Sequence, residues 1–188
     1  MDEKVLKGIR KATTDAGYND EFAGVLCRAY EYIQTKGLQG ACHAMSAALY
    51  VAFSEMGYYP VLCVGEVQGP NLLFDHSWLM MFENKLVIDI AICNTLDEKV
   101  QLAPVVFGVD VITKKPPILQ YGVKGAGLDE TAQIATSVPF SEYMDAFPYE
   151  KNGLWDVVAY LLDENLSEEL TEGLRLRYSD TEWEYIRR

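Results

Sequence analysis

The stretch GLQGACHAMSAALYVAFSEMG, residues 37–57, carries the strongest signal for the architecture, because it predicts a helix at the centre of the molecule. Its apolar side chains recur three and four residues apart, which is the spacing of one broad helical face. This face comprises Ala41, Ala44, Met45, Ala48, Leu49, Ala52, Phe53 and Met56. Its side chains are small near the start, so the helix can lie close to a neighbouring backbone. Gly57 predicts its end.

Helices precede this stretch, and strands follow it. Two helices are predicted over residues 3–16 and 20–36, the second capped by Asn19 or Asp20 and ended by Gly37. Apolar and β-branched runs then predict strands over residues 59–67, 73–82 and 85–92, with Glu83-Asn84 as the tight turn between the last two. Further extended segments are predicted at 105–113 and 118–123, and further helices at 129–135, 141–147, 154–162 and after Ser167. This order favours an α+β fold over a doubly wound α/β fold.

Length and charge limit the classes of function. The 188 residues predict one domain, with a catalytic core at about 37–92 and a helical C-terminal part at about 129–188. A formal net charge of −12 repels phosphate backbones, so a nucleic-acid partner is disfavoured. There is no apolar run of the roughly 18 residues that a membrane span needs, and the charged N-terminus does not resemble a signal peptide. We therefore expect a cytoplasmic protein whose four cysteines are free thiols, without a membrane partner.

Cys42 is the candidate nucleophile. The glycines of Gly37-Leu38-Gln39-Gly40 let the chain turn sharply into the central helix, and Cys42 falls in the first turn of that helix. Unpaired N–H groups and the positive end of the helix dipole favour an anion there, and the thiolate is the reactive form of a cysteine. Position 42 also lies off the centre of the apolar face, at the predicted edge of a groove.

His76 and Asp89 are the polar residues that could serve Cys42. Each lies in an apolar predicted strand, where a buried charge is costly unless it is paired. If Glu83-Asn84 is a two-residue turn, Trp78 lies opposite Asp89, and His76 lies diagonally across from Asp89 on the same face of the sheet. The sequence therefore predicts a hydrogen bond between these two side chains.

The three residues suggest a thiol mechanism. His76 takes the proton from Cys42, and Asp89 binds the other ring nitrogen and sets the tautomer. The Cys42 N–H is a candidate oxyanion donor, and the Gln39 side chain is a possible second donor, the alternative being a structural hydrogen bond within the loop. Trp78 is predicted to pack beside the site and shield the bond from His76 to Asp89. Tyr121 is assigned to packing, and Asp75 to the opposite face of its strand.

Three short motifs carry a resemblance to a known family. They are Gly40-Ala41-Cys42 at the start of an apolar helix, His76-Ser77-Trp78 on a strand, and Asp89 on the next strand. Together they look like the transglutaminase-like group of papain-fold cysteine enzymes, which includes bacterial cysteine peptidases and the leader-peptide proteases of lasso-peptide maturation. The resemblance covers residues 37–92, and His43 and Ile90-Ala91 depart from the usual pattern. It implies an antiparallel sheet packed on the nucleophile helix and supports the same three residues, Cys42, His76 and Asp89. We expect acyl transfer or hydrolysis at an amide of a peptide or protein, with hydrolysis favoured and no cofactor.

Two other classes of function remain open at this point. One is a non-catalytic peptide-binding or protein-binding module on the same fold. The other is a redox thiol protein or a metal site formed by Cys42, His43, His76 and one of Cys63 or Cys93, although these spacings match no common zinc motif and leave Asp89 unexplained. The oligomeric state is not determined by the sequence.

Overall fold

The structure is a computed structural model that describes residues 2–81, 85–96, 102–165 and 167–188. The helices are α1 (Glu3–Asp15), α2 (Asp20–Lys36), α3 (Cys42–Glu55), α4 (Glu130–Ser137), α5 (Phe140–Asp145), α6 (Leu154–Leu162) and α7 (Glu168–Arg177). The strands are β1 (Pro60–Gly69), β2 (Leu72–Met81), β3 (Val87–Ile88), β4 (Val105–Val106), β5 (Val109–Asp110), β6 (Gln120–Val123) and β7 (Glu184–Ile186), and Ala91–Cys93 form a 3-10 turn. The predicted α+β class is confirmed.

The helix boundaries follow local capping chemistry. The Asn19 side chain accepts a hydrogen bond from the Phe22 N–H at 2.9 Å and so selects the start of α2. Gly37 ends the same helix in the left-handed conformation with φ of 62°, which glycine adopts at little cost. Ser167 caps α7 in the same way as Asn19 caps α2. The predictions at these three positions are confirmed.

The main sheet has the strand order β3-β2-β1-β6, and β7 also pairs with β1, in parallel. Strands β1 and β2 form a long antiparallel hairpin in which all ten residues of each strand are paired. Between β2 and β3, Leu79 lies opposite Ile88 and Met80 lies opposite Val87. Both pairs have the predicted register, although the pairing ends at Ile88, one residue before Asp89. The predicted turn at Glu83-Asn84 itself lies outside the described residues.

Two strand predictions were wrong in detail. The segment at 85–92 does not remain a strand, because Asp89 leaves β2 and exchanges backbone hydrogen bonds with Val105 before the chain enters the 3-10 turn. The segment at 105–113 is a short hairpin of β4 and β5, since Phe107 and Gly108 have φ of 52° and 72°, the conformation of a two-residue turn that reverses the chain. Strand β7 was not predicted.

Helix α3 is the centre of the core, as its composition predicts. It packs against β1 and β2 on one side and against α2 and α6 on the other. Ala47, Ala48 and Ala52 are completely buried, and their small side chains permit this close approach from several directions. The start of α3 is therefore held rigidly next to β2. No helix within the described ranges has the length and apolar character needed to cross a membrane.

Candidate active site

Cys42 is the first residue of α3. Gly40 precedes it with φ of 63°, a conformation that L side chains rarely adopt, so the chain enters the helix through a sharp turn. The Cys42 side chain lies next to the His76 ring, and its Sγ lies 3.9 Å from the Gly40 carbonyl oxygen. The residue is 8% exposed, and it forms part of the wall of a surface cleft. The candidate nucleophile is thus shielded on most sides but reachable from the cleft.

His76 and Asp89 form a buried pair, at 4% and 2% exposure. His76 Nε2 lies 2.8 Å from Asp89 Oδ2, which leaves Nδ1 as the ring nitrogen that faces the thiol. Burial alone would lower the pKa of His76, but the charge of Asp89, the neighbouring Cys42 and the hydrogen bonds to both outweigh burial and raise this pKa above its ordinary 6.5. The pair therefore favours a protonated imidazole next to Cys42.

The Asp89 carboxylate accepts two further hydrogen bonds. The Ile92 N–H donates to Oδ1 at 3.1 Å, and the Tyr121 hydroxyl donates to Oδ2 at 2.8 Å. Burial and the nearby carboxylate raise the pKa of Tyr121 well above its usual value, so its hydroxyl stays a donor. Sequence reasoning assigned Tyr121 to packing and missed this contact. Strand pairing in the sheet brings β6 close to Asp89, and no local sequence pattern predicts that proximity.

Trp78 lies where the register predicts, completely buried beside the site. Its ring meets the Tyr121 ring edge to face, with centroids 5.1 Å apart. It therefore contacts the residue that binds Asp89, and its shielding role stays a prediction.

A set of amide contacts holds the loop that leads into Cys42. Asn94 accepts the Gly40 N–H through its backbone oxygen at 2.9 Å, and its side chain donates to the Leu38 carbonyl at 3.0 Å. The Gln34 side chain in turn donates to Asn94 Oδ1 at 3.0 Å. Helix α2 and the 3-10 turn thus fix the nucleophile loop from both sides. Sequence reasoning did not identify Gln34 or Asn94.

The cleft at Cys42 has a volume of about 690 Å³, within the range of small-molecule and peptide sites. One part of its wall is apolar and comprises Leu72, Leu73, Phe74 and Leu96. Another part is acidic and comprises Glu66, Asp75 and Asp129, which we call the acidic wall. No lysine or arginine of the described ranges lines the cleft. A second cavity, of about 270 Å³ beside α1, is lined by neither histidine nor cysteine.

The acidic wall is tied together by backbone amides. Glu66 Oε2 accepts the Gly125 and Gly127 N–H groups at 2.9 and 3.2 Å, and Asp75 accepts the Asp129 N–H. Burial, with Asp129 and Glu66 nearby, raises the pKa of Asp75, although its hydrogen bond from Asp129 opposes this rise. Asp75 does not bind His76, as strand alternation predicts, but it does line the cleft.

His43 adds a second imidazole to the cleft. Its Nδ1 lies 2.5 Å from Ser77 Oγ, and its ring meets Trp183 edge to face at 5.8 Å. Burial, followed by the charge of nearby His76, lowers the pKa of His43 to about 4. His43 is therefore neutral near pH 7. The two histidines of the chain thus have pKa values shifted in opposite directions.

The remaining candidates do not line the cleft. Gln39 is exposed and is not part of the cleft wall, so its oxyanion role stays a prediction. All four cysteines are free, and burial raises the pKa of both Cys63 and Cys93 to about 12. Across the described ranges, no three His, Cys, Asp or Glu side chains are arranged so that they could hold a metal ion.

Comparison of the chain with models of known protein families, with curated proteins and with solved structures finds no match. The chemistry of the site therefore has to be argued from its own geometry. A thiol, an imidazole and a carboxylate in one hydrogen-bonded series can generate a thiolate, return a proton to a leaving group and steady the charged ring between those steps.

Proposed function

We propose that the protein is a thiol-dependent hydrolase or acyltransferase that acts on an amide bond of a peptide or protein, with Cys42 as nucleophile, His76 as acid and base, and Asp89 as the group that orients His76. The observation that supports this proposal is the contiguous series of Cys42, His76 and Asp89, in which His76 is hydrogen-bonded to Asp89 and both Cys42 and His76 line an open cleft. A buried ion pair of this kind contributes little net stability. Its presence next to a reachable thiol is therefore better explained by catalysis.

The first half of the reaction forms a thioester. The Cys42 sulfur attacks the carbonyl carbon, and the amide nitrogen leaves with the proton that His76 carries. The oxyanion lies at the start of α3, where the first amides of the helix have no carbonyl partner within it. In the second half, His76 removes a proton from water as the water oxygen bonds to the thioester carbon. The carbon–sulfur bond then breaks, which releases the carboxylic acid and returns Cys42 and His76 to their starting state.

Hydrolysis is favoured over transfer to an amine. Among the described residues that line the cleft, none marks a dedicated site for an amine acceptor. As part of the same proposal, the fold is assigned to the papain-like, transglutaminase-like architecture. This assignment is supported by the motifs around Cys42, His76 and Asp89, and by α3 packing on the antiparallel sheet. Four free thiols suit a reducing compartment such as the cytoplasm.

The test is turnover on a panel of fluorogenic peptides and glutamine-containing peptides, with and without a primary amine. We expect release of the leaving group by the native protein and none by Cys42→Ala. Cys93→Ala is the matched control, because it removes another thiol near the site and should retain turnover. Peptide binding without turnover, equal in the native protein and Cys42→Ala, would instead support the non-catalytic binding module. Turnover that survives Cys42→Ala would overturn the proposal.

A further inference from the structure

Asp89 Oδ2 accepts hydrogen bonds from two side chains. His76 Nε2 and the Tyr121 hydroxyl both lie 2.8 Å from it. The other oxygen, Oδ1, is already held by the Ile92 N–H. Backbone pairing of Asp89 with Val105 fixes the main chain as well. The carboxylate is therefore oriented without Tyr121, so this hydroxyl must have another effect.

The effect follows from hydrogen-bond competition. When a carboxylate oxygen accepts a hydrogen bond from one N–H or O–H, its hydrogen bond with a second donor becomes weaker. The bond from Tyr121 is weakest when His76 is protonated and strongest when His76 is neutral, because the neutral ring leaves the negative charge on Asp89 uncompensated. Tyr121 therefore favours the neutral form of His76 and opposes the attraction between Asp89 and the imidazolium.

We propose that Tyr121 is a positioning residue that acts through Asp89: its hydroxyl competes with His76 for Oδ2 and keeps the imidazolium able to release its proton. This inference rests on the proposed function, in which His76 must both hold a proton next to Cys42 and give it to the leaving amine. A carboxylate that bound only the imidazolium would retain that proton too strongly. Tyr121 limits this attraction.

The surroundings make Tyr121 suitable for this role. Its ring packs edge to face on the completely buried Trp78, so the hydroxyl is held in place. The titratable groups that face His76 are Asp89, Cys42 and His43. Of these, only Asp89 bears a hydrogen bond from Tyr121. A change at Tyr121 should therefore reach His76 through Asp89.

The experiment is a pH titration of the ring ¹⁵N signals of His76 in the native protein and in Tyr121→Phe. With only two histidines in the chain, the signals are assigned by a variant at His43. Phenylalanine keeps the contact with Trp78 and removes only the hydroxyl. We expect the pKa of His76 to rise by roughly 0.5–1 unit, the size expected for one hydrogen bond whose strength depends on the charge of its partner.

Two further variants make the test decisive. Tyr32→Phe removes another buried hydroxyl that donates to a carboxylate, Glu150 at 2.8 Å, and should leave the titration of His76 unchanged. Replacement of Tyr121 by 3-fluorotyrosine gives a stronger donor and should lower the pKa of His76, which keeps the test available if Tyr121→Phe folds poorly. If the protein is active, the alkaline limb of its pH–activity profile should move to higher pH in Tyr121→Phe and to lower pH with 3-fluorotyrosine.

The proposal is overturned if Tyr121→Phe changes the pKa of His76 by less than about 0.2 unit or lowers it. This readout does not need a substrate. If the native protein shows no turnover but Tyr121→Phe still raises the pKa of His76, the result counts against the proposed function and not against the role of Tyr121. Conversely, if turnover depends on Cys42 but Tyr121→Phe leaves the titration of His76 unchanged, the role of Tyr121 is refuted and the proposed function stands.

Discussion

Replacement of Asp89 by asparagine should lower the pKa of His76 by about 3 units. Asparagine is similar in size and keeps an oxygen acceptor, so the main loss is the negative charge. Two unit charges roughly 4 Å apart interact by about 4 kcal/mol at an effective dielectric constant of 20, and about 1.4 kcal/mol corresponds to one pKa unit. With that attraction gone, burial, which is the largest single influence on the pKa of His76 and lowers it, is opposed mainly by Cys42.

The assay is the ¹⁵N titration of His76 in Asp89→Asn. Asp75→Asn is the matched control, because Asp75 is the neighbour of His76 on β2 but its carboxylate binds the Asp129 N–H instead. We expect the control to shift the pKa of His76 by less than about 0.5 unit. Equal small shifts in both variants would refute the argument that Asp89 holds the imidazolium.

Unfolding gives an independent readout of the same pair. The pKa of His76 is higher in the folded protein than in the unfolded chain, so protonated His76 stabilises the fold. This stabilisation is fully present below the unfolded pKa of 6.5 and decreases as the pH rises toward the folded pKa. The native protein should therefore lose stability between pH 6.5 and 9. Asp89→Asn should lose less over that range, as measured by urea denaturation.

Three further outcomes are expected. Because the pKa of His43 is lowered to about 4, the native protein should lose up to about 3 kcal/mol of stability between pH 6.5 and 4, and His43→Gln should lose less in urea denaturation. Because the acidic wall lines the cleft, a cationic methanethiosulfonate should modify Cys42 at least about tenfold faster than an anionic one at low salt, as followed by mass spectrometry. Asn94→Ala removes the hydrogen bonds to Leu38 and Gln34, so it should destabilise the protein by about 2 kcal/mol and slow modification of Cys42.

Each of these expectations has a result that contradicts it. If His43→Gln loses as much stability between pH 6.5 and 4 as the native protein, His43 is not held neutral. Equal rates for the two charged reagents, or a difference that 1 M salt does not reduce, would remove the electrostatic account of the cleft. Normal reactivity of Cys42 in a destabilised Asn94→Ala would show that the loop contacts serve stability alone.

The pairing of His76 with Asp89 was predictable because each is a polar residue in an apolar segment, where a buried charge needs a partner. A lone carboxylate and a lone histidine in neighbouring apolar segments indicate pairing, and the two-residue spacing at Glu83-Asn84 gives the register that the strands adopt. The apolar face from Ala41 to Met56 similarly indicates a central helix.

The residues that surround this series were not predictable from local patterns. Tyr121 reaches Asp89 from β6, whose pairing with β1 includes an irregularity in register. Asn94 follows the segment predicted as a strand over residues 85–92, but the chain forms a 3-10 turn there and returns toward Gly40. Such contacts depend on tertiary packing, which a single sequence does not encode as a periodicity.

The central claim is that Cys42 reacts as an activated nucleophile, and its rate of alkylation by iodoacetamide at pH 6 measures this most directly. The site of modification is located by mass spectrometry, and glutathione serves as the reference thiol. The account predicts that Cys42 reacts at least about tenfold faster than glutathione and that His76→Ala abolishes the advantage. A rate at or below that of glutathione, or preferential modification of Cys93, would contradict it.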